Sequence, residues 1–108
     1  MRSPTQQSAS PGASLTKFQL RILAILGAAD GAPKGLAVKE RLEAYYGQDV
    51  NHGRLYPNLD ELVDAGYVAK GTKDLRTNSY QLTDQGRDVL RAEVRWLNTH
   101  TFDNRGDA

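Results

Sequence analysis

The spacing of the apolar residues changes twice along this chain, and this change limits the fold more than any other feature. Up to Ala65, apolar side chains recur every three or four residues, as they do in amphipathic α-helices. Between Tyr67 and Thr83, apolar and polar residues alternate, which is typical of β-strands. After Thr83 the helical spacing returns. The sequence therefore predicts helices, then one short hairpin, then a last helix.

Capping and turn residues divide the region before the hairpin. The first predicted helix has Thr16 as its N-cap and ends near Ala29, before a Gly-Ala-Pro turn. The second spans residues 36–46, with Leu36 among its inward-facing side chains, and Gly47 ends it.

The third helix and the hairpin follow directly. Asn51 caps the helix, which runs to about Ala65, and Pro57 inside it is expected to bend it or to mark a late start. The hairpin has predicted strands at residues 67–73 and 79–83, joined by a charged tip.

Length and composition set the domain organisation. The chain has 108 residues, which is enough for one domain with a single core. Residues 1–14 are rich in Ser, Pro, Gln and Ala, so we expect a disordered arm, and residues 103–108 form a polar tail. Between them we expect one globular unit over residues 15–82 and a long helix over residues 83–102, capped by Thr83.

Composition also argues against several classes of function. The chain has no cysteine, which excludes disulfides, thiolate metal sites and thiol redox switches. It shows no apolar run long enough for a membrane span and no secretory signal, so we expect a cytoplasmic protein. We find no nucleophile elbow, phosphate-binding glycine loop or cluster of metal ligands, so we expect no enzyme activity, cofactor or metal site.

The order of the elements predicts a winged helix-turn-helix, a mainly α fold with a small β-hairpin (α+β). In this fold the third helix enters the major groove of DNA and the hairpin is the wing. The charge distribution agrees, because residues 1–41 carry six basic and two acidic side chains in a chain of formal net charge +1. A nearly neutral protein can bind a polyanion when its positive charge lies on one face.

Two stretches resemble the PadR-like family of transcriptional regulators. Residues 53–68, GRLYPNLDELVDAGYV, combine a Leu-Tyr-Pro triplet, spaced leucines and a Gly-aromatic-Val ending. Residues 73–86, KDLRTNSYQLTDQG, are similar to the wing of that family and to its Leu-Thr-x-x-Gly entry into the last helix. The resemblance covers about residues 15–98. It implies a homodimer that binds a pseudo-palindromic operator in double-stranded DNA and has one C-terminal dimerisation helix.

The whole chain also resembles a haloarchaeal member of that family that regulates the oxidant response. This resemblance implies target genes concerned with reactive oxygen species, and a sensing mechanism without a thiol. Arg outnumbers Lys by 9 to 5 and Asp outnumbers Glu by 9 to 4, which is typical of high-GC genomes, haloarchaea among them. A protein that works in high salt could keep bound salt ions at its interfaces, although no residue pattern marks a site for them.

The first candidate DNA contacts lie at the start of the third helix. A helix N-terminus attracts phosphate, and arginine suits the O6/N7 edge of guanine. Arg54 is the preferred contact, and Asn58, one turn further, could face the groove. For Asn51 a role as a cap alone stays open, and His52 could be an exposed side chain without a role.

The other candidate DNA contacts lie in the wing and at the second helix. Arg76 is preferred, for insertion into the minor groove or for clamping a phosphate, and a solvated hairpin tip is the alternative. Tyr56 is expected mainly in the core, and Lys17 and Arg21 are weaker candidates on the first helix. The remaining candidates are Lys70, Lys73, Thr77 and Asn78 in the wing and Lys34 and Lys39 at the second helix.

The last helix carries an apolar seam that predicts dimerisation. A small domain cannot bury such a seam alone, so we expect a partner helix. The alternative is that the seam folds back on the first helix. The residues are Leu90, Val94, Leu97 and Thr101 at coiled-coil spacing, with Val89 and Trp96 beside them.

Two other functions stay open at this point. A winged helix that binds protein instead of DNA would present an apolar recognition face, whereas the face predicted here is polar. A repressor that senses a small molecule would need a ligand pocket at the dimer interface, lined by Trp96. The operator sequence, the inducing signal and the direction of regulation have no readable pattern.

Overall fold

The computed structural model describes residues 9–72 and 76–101. Within them the predicted winged helix-turn-helix is confirmed. The predicted wing residue Lys73 lies outside the described residues, as do residues 1–8 and the tail after residue 101. The elements are α1 (Lys17–Ala28), α2 (Gly35–Tyr46), α3 (His52–Asp64), β1 (Val68–Thr72), β2 (Asn78–Leu82) and α4 (Asp84–Thr101).

Local capping interactions fix the predicted helix ends. Thr16 forms a capping box with Gln19 at the start of α1, in which each side chain accepts a hydrogen bond from the other residue's backbone N–H. The Thr83 hydroxyl accepts a hydrogen bond of 2.9 Å from the Gly86 N–H at the start of α4. Gly47, with φ of 70°, ends α2 in the left-handed conformation.

The wing is a two-stranded antiparallel hairpin in which Val68 pairs with Leu82 and Thr72 pairs with Asn78. A third segment joins the wing. The Tyr80 N–H donates to the Pro33 carbonyl at 2.9 Å, and Lys34 forms an isolated antiparallel bridge with Ser79. This pairing ties the start of α2 to the wing. No sequence pattern predicted this pairing, because the segment before α2 is too short to show strand alternation.

The core draws apolar side chains from every helix and both strands. Leu36, at the start of α2, was expected to face inward, but 54% of its surface is exposed. Val89 was expected to lie beside an exposed seam, but it is buried inside the protomer. The largest fully buried side chains are Ile22, Leu23, Val38, Leu42, Leu55, Leu59, Leu62 and Tyr80.

The residues just before α1 differ from the predicted disordered arm. Residues 11–14 form turns, with a hydrogen bond of 2.9 Å from the Ala13 N–H to the Ser10 carbonyl. Gly12 is buried against α4, where an added Cβ would lie 2.8 Å from Cγ of Glu93. The missing side chain at this position therefore lets the segment pack on α4.

Candidate DNA-binding surface

The first turn of α3 presents polar side chains at the protein surface. Asn51 caps the helix, because its side-chain oxygen accepts a hydrogen bond from the Gly53 N–H. His52 is exposed, and its ring stacks on Tyr56 with centroids 5.6 Å apart and an interplanar angle of 7°. The stacking holds the imidazole at the N-terminal end of α3. Asn51 is thus the N-cap of α3, and a contact between Asn51 and DNA stays a prediction.

Arg54 rests on aromatic side chains of the two preceding helices. Its guanidinium lies 3.9 Å from the centroid of the Phe18 ring and 5.7 Å from that of Tyr46. The residue as a whole is exposed. These cation–π contacts hold the side chain at the edge of α3 while leaving guanidinium donors open to solvent.

Asn58, one turn after Arg54, is partly exposed, and its side chain is engaged in hydrogen bonds within the protein. Its side-chain NH₂ donates to the Arg54 carbonyl at 2.7 Å, and its side-chain oxygen accepts from Nε2 of Gln19 at 3.0 Å. Gln19 also donates to Oε1 of Glu61 at 2.9 Å and is only 5% exposed. The expected groove-facing position of Asn58 therefore does not match its hydrogen bonds, which position α3 on α1.

Gln19 is the positioning residue that the sequence reasoning missed. It joins the Thr16 capping box to two side chains of α3, so one amide fixes both the start of α1 and the orientation of α3. The Thr-x-x-Gln spacing signalled the capping box. The contacts to α3 join residues about forty positions apart and have no local signal.

A cleft of about 380 Å³ opens between the start of α2, α3 and the second half of the wing, from Arg76 to Tyr80. Gly35 shapes it, because a Cβ there would lie 2.6 Å from the Tyr56 hydroxyl. The ring of Tyr56 can thus lie against the first turn of α2, where the helix dipole is positive. Four predicted DNA contacts line this cleft together with Tyr56, namely Lys34, Arg76, Thr77 and Asn78.

Lys39 is engaged within its own helix. Its Nζ lies 2.8 Å from Oε2 of Glu43, and the same carboxylate oxygen accepts a hydrogen bond of 2.9 Å from the Val50 N–H. The hydrogen bond with Glu43 raises the pKa of Lys39, and the same bond lowers the pKa of Glu43. The pair braces the turn between α2 and α3.

Lys70 of the wing is only loosely paired. Its Nζ lies 3.6 Å from Oδ1 of Asp60, and both side chains are exposed. An exposed pair of this length contributes little to stability and breaks easily when another anion approaches.

The end of α4 is apolar and uncovered in the protomer. Val94, Trp96 and Leu97 are 59%, 49% and 50% exposed. Leu90, at the start of the predicted seam, packs partly against the protomer core, whereas Thr101 at its end is exposed. The Trp96 indole stacks on His100 with centroids 4.0 Å apart. Val94, Trp96 and Leu97 are thus exposed in the protomer, and their burial against a partner helix stays a prediction.

Within the residues that the structure describes, no group of three His, Asp or Glu side chains could hold a metal ion. In the same part of the chain, no helix is long and apolar enough to cross a membrane.

The three helices, the hairpin wing and the long last helix define a winged helix-turn-helix protein. Residues 22–92 match the model of the Transcriptional regulator PadR-like family, and the chain belongs to that family. The family consists of regulators, so the prediction that the chain is not an enzyme is confirmed. None of the curated proteins compared with the chain matches it.

Solved structures agree with the family. The structure of H. salinarum RosR grown from NaBr is 48% identical, with a TM-score of 0.78 over 87% of this chain and 84% of that chain. The hsRosR-S1 complex is 51% identical, with a TM-score of 0.76 over 82% of this chain and 79% of that chain. Bacillus subtilis PadR in complex with operator DNA is 26% identical, with a TM-score of 0.63 over 82% of this chain and 51% of that chain. The predicted resemblance to a haloarchaeal regulator, RosR, is thereby confirmed.

Proposed function

We propose that this PadR-like regulator binds operator DNA through the first turn of α3, the start of α2 and the wing. The observation that carries the proposal is the cleft in which Lys34 and Arg76 meet Tyr56 beside the dipole of α2. Cations and a helix N-terminus on one surface suit the phosphate backbone. His52 and Arg54, at the adjacent end of α3, supply groups that can reach base edges.

The proposal includes a homodimer joined through α4. An exposed Trp, Leu and Val on one helix end form an apolar surface that a monomer would have to leave in water. Pairing of two α4 helices would cover it and would place two α3 helices on successive major grooves, about 34 Å apart. The operator is then a pseudo-palindrome.

We further propose that the regulated genes belong to the oxidant response. Support comes from the identity of 48–51% to RosR structures and from the resemblance of the sequence to that regulator. The chain has no cysteine, so an oxidant signal would have to reach it without a thiol. A cytoplasmic location follows from the proposal because the regulator must reach the chromosome. For a protein that works in high salt, the proposal also includes salt ions bound at its interfaces.

Selection from genomic DNA tests this function. The full chain is mixed with fragmented genomic DNA of its source, and the retained fragments are sequenced at low and at high salt. We expect a pseudo-palindrome with half-sites one helical turn apart, upstream of genes that act on reactive oxygen species. Retention of no sequence above background at either salt concentration would contradict DNA binding and favour a winged helix that binds protein.

A further inference from the structure

A second basic surface lies where the start of α1 meets the end of α2. Tyr45, near the end of α2, is 48% exposed. Above its ring lie Nζ of Lys17, 5.6 Å from the centroid, and the guanidinium of Arg21, 4.9 Å from it. Hydrogen bonding from Arg21 and, less strongly, from Lys17 lowers the pKa of the Tyr45 phenol. We call Lys17, Arg21 and Tyr45 the α1 flank.

The cations of the α1 flank have no acidic partner in residues 9–72 and 76–101. The ion pairs Lys39–Glu43 and Lys70–Asp60 involve neither Lys17 nor Arg21. Both cations contact one aromatic ring, although like charges repel. A solvated face would let them separate, so this arrangement suits an anion that bridges both.

The α1 flank is continuous with the first turn of α3. Tyr45 packs edge-on against Tyr46 at 4.9 Å, and Tyr46 stacks on Phe18 at 6.0 Å. The guanidinium of Arg54 lies on that same Phe18 ring. One row of aromatic rings therefore connects a proposed base contact to the two cations of α1.

We propose that the α1 flank binds the phosphate backbone of duplex DNA across the major groove from the wing. The inference rests on the proposed function and extends it, because the cleft at Lys34 and Arg76 lies at the opposite end of α2. The wing cleft binds one border of the groove, and Lys17 and Arg21 bind the other. Such contacts add affinity without reading sequence.

The test compares the wild-type chain with the double variant Lys17→Gln/Arg21→Gln. Arg95→Gln is the control, because Arg95 is an exposed cation on α4, outside the α1 flank and outside the seam. Binding is measured by fluorescence anisotropy over a series of KCl concentrations. The probes are a mixed-sequence duplex of about 40 base pairs and a duplex retained from genomic DNA. Circular dichroism and sedimentation record folding and oligomeric state.

For the double variant we expect the slope of log affinity against log salt to fall by about one for each lost phosphate contact. The loss should be the same on both duplexes, because these contacts carry no sequence information. Arg95→Gln should keep the wild-type slope. An unchanged slope in the folded double variant would overturn the inference and leave the flank to an acidic protein surface. Loss of the dimer in that variant would also overturn it, assigning the flank to the subunit interface. Failure of the wild-type chain to bind either duplex would instead contradict the proposed function.

Discussion

The side-chain amide of Gln19 on α1 lies 3.0 Å from the side-chain oxygen of Asn58 on α3, and this hydrogen bond fixes how α3 is presented. Gln19 is nearly fully buried, so its hydrogen bonds form where water cannot easily replace them. The same amide reaches Glu61 one turn further along α3. The orientation of the proposed recognition helix thus depends on a residue of another helix.

Replacing Gln19 should therefore destabilise the protein. Gln19→Leu keeps the size of the side chain but removes its hydrogen bonds to Thr16, Asn58 and Glu61. We expect a loss of roughly 1–3 kcal/mol in the free energy of unfolding, measured by urea denaturation. Gln81→Leu, at an exposed position of β2, is the control and should change the free energy far less. Equal free energies of unfolding for Gln19→Leu and wild type would show that the hydrogen bonds of Gln19 do not stabilise the fold.

Substitution of Leu97 tests the proposed dimer. Leu97→Asp places a charge in the exposed apolar face of α4, and we expect sedimentation to show monomers with weakened DNA binding, because two linked sites bind better than one. Arg95→Asp is the control, since this position lies outside the seam and should leave the dimer intact. A Leu97→Asp chain that stays dimeric would place the subunit interface elsewhere.

The Lys39–Glu43 pair gives the stability a defined pH dependence. Because its hydrogen bonds lower the pKa of Glu43 below the ordinary 4.5, the carboxylate stabilises the fold fully above that pH and loses this effect as pH falls through the folded-state pKa. The raised pKa of Lys39 gives a second contribution to stability at alkaline pH. This contribution is fully present below pH 10.5 and is lost as pH rises through the folded-state pKa.

Thermal unfolding of Glu43→Gln measures this contribution. We expect a lower Tm than wild type between the two ordinary pKa values, with a difference that shrinks in acid and in strong alkali. Glu40→Gln, an exposed neighbour on the same helix, should show no such pH dependence. A difference in Tm that is constant across the pH range would mean that the pair does not act through its charges.

The features that the sequence predicted correctly are those set by local interactions. Helical spacing, the cap at Thr83 and the glycine turn at Gly47 each depend on residues within a turn or two of each other. Periodicity could therefore locate the helices, the wing and the apolar end of α4. The start of α3 could be predicted equally well, because Asn51 is the N-cap of that helix and a polar residue.

The features that the sequence did not predict depend on contacts between distant residues. Asn58 was expected in the groove because it follows Arg54 by one turn, but its partner Gln19 lies on another helix. The bonding of Tyr80 to Pro33 likewise joins two segments far apart in the chain. Leu36 was expected inside because it is apolar, yet it borders the open cleft. No local pattern contains these contacts.

The affinity of Arg54→Ala and Arg76→Ala for a duplex retained from genomic DNA tests most directly whether the face made by α3 and the wing binds DNA. Each residue is exposed, so the fold and the proposed dimer should survive the substitution, which circular dichroism and sedimentation would verify. We predict that each variant loses roughly 1–3 kcal/mol of binding free energy relative to wild type. Wild-type affinity in both variants would contradict DNA binding through this face.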